Sequence, residues 1–203
     1  MRPPPSDANQ DAPAFAAGLA RRAPGPSDGP GGGSPYPSGV LSERQLPWGP
    51  PPALDAPTPK GRAALAAVYA DVDAALGAAD ASCRGCGRCC RFTPGGFVLF
   101  ASSLEVAVLL AEAGPPGRER LGPEGRVFAA WTCPYQDGDR CGARGVRMLG
   151  CRTYFCSPEA AARGEAVYAD ALTAIRAIAR THAYPWWYGP VKVALDAAAS
   201  AKE

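Results

Sequence analysis

Eight cysteines are the residues of this 203-residue chain that could do chemistry, and all of them lie between residues 83 and 156. Two short runs carry most of them, "CRGCGRCC" from Cys83 and "CRTYFC" from Cys151. The full set is Cys83, Cys86, Cys89, Cys90, Cys133, Cys141, Cys151 and Cys156. Thiols at such short spacings form disulfides in an oxidising compartment and bind soft metals in a reducing one, so the compartment must be considered first.

The amino-terminal residues "MRPPPSDANQDAPAFAAGLARRAPG" contain no apolar run behind a basic start, so the sequence predicts no signal peptide. It also has no run of about 18 apolar residues that would predict a transmembrane helix. We therefore expect a cytoplasmic protein that does not enter a membrane. In that compartment thiols stay reduced, and clustered cysteines act as metal ligands. A disulfide framework is the alternative.

The ligand set is predicted to be all sulfur, because the only histidine, His182, lies outside the cysteine region on an apolar helical stripe. Thiolates select zinc, copper(I) or iron–sulfur clusters. Cys83, Cys86 and Cys89 are each separated by two residues, as are the first three ligands of the bacterial ferredoxin run. Structural zinc sites more often use two separated pairs. The spacing therefore predicts an iron–sulfur cluster of the 4Fe–4S type, with zinc as the alternative.

The number of centres is open at this point. Cys89 and Cys90 are adjacent, and adjacent side chains leave the backbone in different directions, so one of them could face a second centre. Cys133 precedes Pro134, as a remote ferredoxin ligand does. Eight cysteines suit two four-ligand centres, and they equally suit one centre with spare thiols.

These motifs resemble the YkgJ-type cysteine-cluster family, which is described as a zinc- or iron-chelating domain. The family signature Cys-x-x-Cys-x-x-Cys-Cys matches "CRGCGRCC", and its later elements match "CPYQDGDRC" and "CRTYFC". The resemblance covers roughly residues 80 to 190. It implies metal or cluster binding by all eight cysteines, with Arg152 as part of the Cys-Arg element, and it implies no particular reaction. Many relatives have Arg-Pro where "RMLGC" stands here.

The elements that must position the cysteines are predicted to form a small α+β domain, organised by metal, with flanking helices and a short sheet. Residues 1–59 hold 15 of the 23 prolines. We expect this segment to be disordered and dispensable, with Leu46, Pro47 and Trp48 as either a docking motif or part of a linker. The domain is then 60–203, with its motif core at 83–156.

Three helix starts, two strands and one turn are predicted around the cysteines. Thr58-Pro59 begins a helix whose apolar stripe is Leu65, Val68, Tyr69, Val72 and Leu76. Ser102 and Glu105 form a capping box for a helix through Ala113, and Ser157-Pro158 caps a long helix. The predicted strands are Phe97 to Phe100 and Arg126 to Thr132. "QDGDR" predicts a tight turn between Cys133 and Cys141.

Two classes of function follow. The first is an iron–sulfur protein in electron transfer, redox sensing or cluster handling, with a protein redox partner. The second is a zinc-stabilised interaction module, whose contact surface would be the aromatic residues Tyr184, Trp186, Trp187 and Tyr188, unless these belong to the core. Whether the chain is an enzyme stays open, since it has no nucleophile–base pair, phosphate loop or dinucleotide fingerprint. A net charge of +2 gives no indication of nucleic-acid binding.

Overall fold

The structure, a computed structural model, describes residues 48–80, 86–92, 98–122 and 130–201. This part contains five α-helices, which are α1 (Pro59–Asp80), α2 (Ser103–Ala113), α3 (Leu149–Thr153), α4 (Pro158–Thr181) and α5 (Val191–Ser200). It also contains six short strands, which are β1 (Arg91–Phe92), β2 (Phe100–Ser102), β3 (Trp131–Thr132), β4 (Gln136–Asp137), β5 (Arg140–Cys141) and β6 (Tyr188–Pro190). Helices with short antiparallel strands confirm the α+β class.

The strands form three separate two-stranded antiparallel ladders within the described residues, β1 with β3, β2 with β6 and β4 with β5. In the longest of them Phe100 pairs with Pro190 and Ser102 pairs with Tyr188. The strand predicted at Phe97 to Phe100 is thus displaced to Phe100–Ser102, because its register is set by β6. Phe97 lies outside the described residues, and so does most of the strand predicted at 126 to 132, of which β3 is the described end.

Helix α1 begins where the sequence predicts. The Gly61 amide donates a hydrogen bond to Thr58 Oγ1 at 3.1 Å. The predicted apolar stripe of α1 is buried against residues of α4. All five members of the stripe are buried, namely Leu65, Val68, Tyr69, Val72 and Leu76. The two helices are bound by this shared apolar face, which is one of the two core clusters.

The capping box of α2 is also confirmed, and so is the helix end at Ala113. Ser102 Oγ accepts a hydrogen bond from the Glu105 amide, while the Glu105 carboxylate accepts one from the Ser102 amide at 2.8 Å. Both faces of α2 are used, since Leu104 and Val108 belong to the cluster with α1, and Val106 and Leu109 to a second cluster with α5. Helix α2 therefore separates the two cores.

The described end of the amino-terminal segment contacts the domain. The Trp48 ring meets the Phe100 ring edge-on, with centroids 5.6 Å apart. Trp187 Nε1 donates a hydrogen bond to the Gly49 carbonyl at 3.2 Å. Residues 48–58 are part of the segment predicted to be disordered, so these contacts predict that the dispensable part ends at residue 47. Leu46 and Pro47 lie outside the described residues.

Candidate metal centre

Seven of the eight cysteines are described, and all seven are free thiols. Cys90 is buried, Cys86 and Cys156 are exposed, and the remaining four are half-buried. Cys83 lies outside the described residues. The described cysteines come from three stretches of chain, so the question is which of them the fold brings together.

The β1–β3 ladder places Cys90 beside Cys133. The Cys133 amide donates a hydrogen bond to the Cys90 carbonyl at 2.7 Å, directly beyond the strand pair. The pKa of Cys90 is raised to about 11, chiefly by a hydrogen bond with the Cys133 thiol. A hydrogen bond with the Cys89 thiol lowers the same pKa and offsets part of the rise. Cys90 and Cys133, which are 43 positions apart in the sequence, are therefore neighbours whose backbones are hydrogen-bonded and whose thiols interact.

Cys89 and Cys90 share a 3-10 turn, Arg88–Cys90, which begins at Gly87 with φ of 66°. Their sulfur atoms are 4.0 Å apart. The hydrogen bond between the two thiols, followed by burial, raises the pKa of Cys89 well above its usual value. Two ligands of one tetrahedral zinc ion lie about 3.8 Å apart, given Zn–S bonds of about 2.3 Å. The adjacent cysteines therefore point in the same direction here, although their adjacency alone suggested different directions.

The tight turn predicted between Cys133 and Cys141 is confirmed as the β4–β5 hairpin. Gly138, with φ of 56°, stands in its two-residue loop. The Gln136 amide donates to the Cys133 carbonyl at 2.9 Å. Cys141 is the cross-strand partner of Gln136, and its thiol is close enough to Cys90 to contribute to the raised pKa there. The hairpin thus returns the chain to the first cysteines.

Cys151 stands in the middle of α3. Burial raises the pKa of the Cys151 thiol well above its usual value, and three neighbouring thiols add to the rise, Cys141, Cys90 and Cys89. Five cysteines therefore influence one another, and we refer to them as the five-cysteine group: Cys89, Cys90, Cys133, Cys141 and Cys151. The raised pKa values of Cys89, Cys90 and Cys151 favour the protonated thiol in the metal-free chain, so binding a metal at these residues would release protons.

Helix α3 is held in place by a buried carboxylate. Glu105 is only 1% exposed. Its Oε1 accepts hydrogen bonds from the Leu149 amide at 2.7 Å and the Tyr69 hydroxyl at 3.2 Å, and its Oε2 accepts two from Ser102 at 2.8 Å. The sequence pattern predicts only a capping role for Glu105. Its bond to Leu149 connects the start of α2 to the first residue of the helix that carries Cys151.

Arg152, the arginine of the Cys-Arg element, fixes the other side of α3. Its buried guanidinium donates to the carbonyls of Arg147 at 2.9 Å and Gly145 at 2.8 Å, and to the Asp73 carboxylate of α1. It also lies 4.0 Å from the centre of the Tyr69 ring. Arg152 therefore positions the loop between Cys141 and Cys151. None of the contacts just described involves a thiol.

Cys86 and Cys156 lie at the edge. Burial raises the pKa of Tyr154, and the charges of Cys156 and Cys89 raise it further. The thiols of Cys156 and Cys89 therefore lie near the Tyr154 hydroxyl. Tyr154 lines a groove of about 450 Å³ whose walls include Phe100, Tyr168 and Tyr188. Tyr154 is therefore both a wall of this groove and a neighbour of Cys89 and Cys156.

The described side chains do not yet form a closed coordination shell. Among the residues that the structure describes, no three histidine, cysteine, aspartate or glutamate side chains converge closely enough to hold an ion. The triple predicted to converge, Cys83, Cys86 and Cys89, lies partly outside these residues, because Cys83 is not among them. The five-cysteine group instead draws its members from Cys89 onward.

Two groups singled out from the sequence lie away from these thiols. His182 lies beside Gly61, at the start of α1. Among the four aromatic residues after it, Trp187 is buried in the second core cluster, and the Tyr184 hydroxyl donates to the Asp55 carbonyl at 2.9 Å. The rings of Trp186 and Tyr188 are stacked, with their centroids 6.5 Å apart. The four aromatic residues thus make contacts within the domain.

Comparison with known proteins finds no matching family model, no similar curated protein and no similar solved structure. The resemblance to the YkgJ-type family therefore stays a prediction. None of the helices in the described ranges is long and apolar enough to cross a membrane.

Proposed function

We propose that this chain is a metal-binding protein that holds an iron–sulfur cluster, of the 4Fe–4S type, for electron transfer, redox sensing or cluster handling. One observation carries the proposal: free cysteines from three separate segments come together in the five-cysteine group, where the Cys133 amide donates to the Cys90 carbonyl at 2.7 Å. Thiols that raise one another's pKa disfavour the thiolate form as long as no positive charge lies among them. A soft cation in their midst would stabilise the thiolates.

The residues fit such a group chemically. Their donor set is all sulfur, and a bound cluster would supply one-electron redox chemistry. We propose Cys90, Cys133, Cys141 and Cys151 as the four ligands, with Cys89 as a neighbour that could replace one of them. The backbones of two of these residues already meet, because the Cys133 amide donates to the Cys90 carbonyl at 2.7 Å. Cys86 and Cys156, which are exposed, would join Cys83 in a second centre or remain accessible thiols.

The chain's own residues would tune the centre. Arg147, whose side chain is 12% exposed, lies near enough to Cys89 to act against the rise in its pKa. A nearby buried cation would stabilise the net negative charge of a thiolate-bound cluster and raise its reduction potential. The half-buried position of most of the ligands would leave a short path to a protein redox partner in a reducing, cytoplasmic compartment.

Zinc is the second candidate, as the support of an interaction module. The ladders at the cysteines, β1–β3 and β4–β5, contain only two residues in each strand. Such short strands contribute little stability, and a structural zinc ion can contribute about 10 kcal/mol or more to the folding of a small domain. The separation of the Cys89 and Cys90 sulfurs also suits two ligands of one zinc ion.

Anaerobic purification with absorption spectroscopy and analysis for iron, sulfide and zinc would test the proposal. We expect a brown protein with broad absorption at roughly 400 nm, as thiolate-bound iron clusters show. Cys141→Ser should lose the colour, and Cys156→Ser is the matched variant outside the five-cysteine group. Equal loss in both would extend the centre to Cys156. A colourless protein with stoichiometric zinc would refute the cluster in favour of the zinc module, and a protein without either metal would refute both.

A further inference from the structure

Gln136 lies at the junction of the cysteine segments, although no motif pointed to it. It is 8% exposed, and its cross-strand partner in the β4–β5 ladder is Cys141. Directly opposed residues of an antiparallel pair have their side chains on the same face. The Gln136 side chain therefore shares a face with the thiol of Cys141.

The amide group of Gln136 also contacts the segment that carries the first cysteines. A Cβ atom placed on Gly87 would lie 2.5 Å from Gln136 Nε2. Gly87 stands between Cys86 and the turn that presents Cys89. The amide thus lies between two cysteine-bearing segments, and only a residue without a side chain leaves space for it there.

The two polar atoms of this amide differ in their surroundings. Nε2 donates a hydrogen bond to the Gly138 carbonyl at 2.8 Å, whereas Oε1 is buried and has no hydrogen-bond partner among the described residues. Exchanging the two atoms would bring two carbonyl oxygens face to face, so the bond to Gly138 fixes the orientation. A buried acceptor without a partner is destabilising, and native proteins retain few of them.

We propose that Gln136 Oε1 belongs to the metal centre, as a neutral oxygen group that interacts with the bound metal or with a water molecule on it. The inference rests on the proposed function and adds a residue that is not a cysteine. A cation beside Oε1 satisfies the acceptor that the metal-free chain leaves without a partner. The oxygen, or its water molecule, then replaces one of the four proposed cysteine ligands, which leaves three sulfur ligands and one oxygen position, as in metal sites open to an exogenous ligand.

Metal affinity in substituted chains would test this role. The full-length chain, reduced and stripped of metal, would be titrated with Co²⁺ and Zn²⁺ in competition with a chelator. Gln136→Met keeps the size of the side chain and removes the oxygen, and we expect metal binding about 10- to 100-fold weaker. Gln136→Glu retains an oxygen and should bind at least as tightly as the wild type. Asp137→Asn, on the exposed neighbour in the same strand, is the matched control and should not change the affinity.

Each outcome decides the matter. Wild-type affinity in Gln136→Met would overturn the inference while leaving the proposed function intact. Equal weakening in Gln136→Glu and Gln136→Met would also overturn it, because the loss would then come from the bond to Gly138. If Gln136→Met fails to fold, which circular dichroism would show, the comparison of Gln136→Glu with the wild type still decides, since weaker binding by a carboxylate contradicts the proposal. A wild-type chain that binds neither ion would overturn the inference, and it would refute the proposed function as well if the anaerobically purified protein also lacks iron and sulfide.

Discussion

Replacing Glu105 should destabilise the domain more than any other single substitution of a polar residue described above. The carboxylate accepts four hydrogen bonds, two of them from the backbone amides of Ser102 and Leu149. Hydroxyl groups can rotate to other acceptors, but these two buried amides cannot. Leaving a buried donor without an acceptor costs about 1–3 kcal/mol, so the two amides and the lost side-chain volume together make Glu105→Ala cost about 4 kcal/mol.

Two further variants make the test specific. In Glu105→Gln one oxygen becomes an NH2 group that must face one of the two amides, so we expect about half the loss, roughly 2 kcal/mol. Ser102→Ala removes the capping hydroxyl alone and should cost about 1 kcal/mol. Urea unfolding of the reduced, metal-free chain, analysed by linear extrapolation, would measure all three. If Glu105→Ala costs no more than Ser102→Ala, then the contact with Leu149 does not hold α3, and the account of how Cys151 is positioned fails.

The other predictions concern the same supports. Arg152→Lys keeps the charge but loses the fork of hydrogen bonds to two carbonyls, so the free energy of unfolding should fall by about 3 kcal/mol in the same urea assay; an unchanged midpoint would contradict this. Deleting residues 1–47 should leave the thermal midpoint unchanged, whereas deleting 1–57 should lower it through loss of the Trp48 contacts, and equal midpoints would show that these contacts are not stabilising. Gly87→Ala should cost about 2 kcal/mol, because φ is positive there and the added carbon meets Gln136; a loss well below this would show that the loop can shift.

Local signals in the sequence predicted the helices well. The cap at Thr58, the apolar stripe of α1 and the capping box of α2 involve residues within a few positions of one another. Their physics is that of a single helix, so the sequence expresses it directly. The β4–β5 hairpin belongs to the same class, because its turn joins adjacent strands.

Contacts between distant segments could not be predicted in this way. The displaced strand is an example: Ala101 and Ser102 are not strong strand formers, and they pair because Gly189 and Tyr188 lie opposite them. The contact of Cys90 with Cys133, the bond from Leu149 to Glu105 and the position of the Gln136 amide likewise depend on how remote segments meet. The sequence indicated which residue type would do the chemistry, and tertiary structure selects which of those residues are neighbours.

The pairing of β2 with β6 has a consequence for how the protein is made. This ladder cannot form until Pro190, the partner of Phe100, has been synthesised 90 residues after it. Cys90 likewise precedes Cys133 by 43 residues and Cys151 by 61, so at about 5–20 residues per second the earliest cysteines are without these partners for roughly 2–12 s. The thiols of Cys86, Cys89 and Cys90 therefore spend this time in an unfinished chain. Cells that make this protein under oxidative stress would expose those thiols to oxidants before the fold can bury any of them.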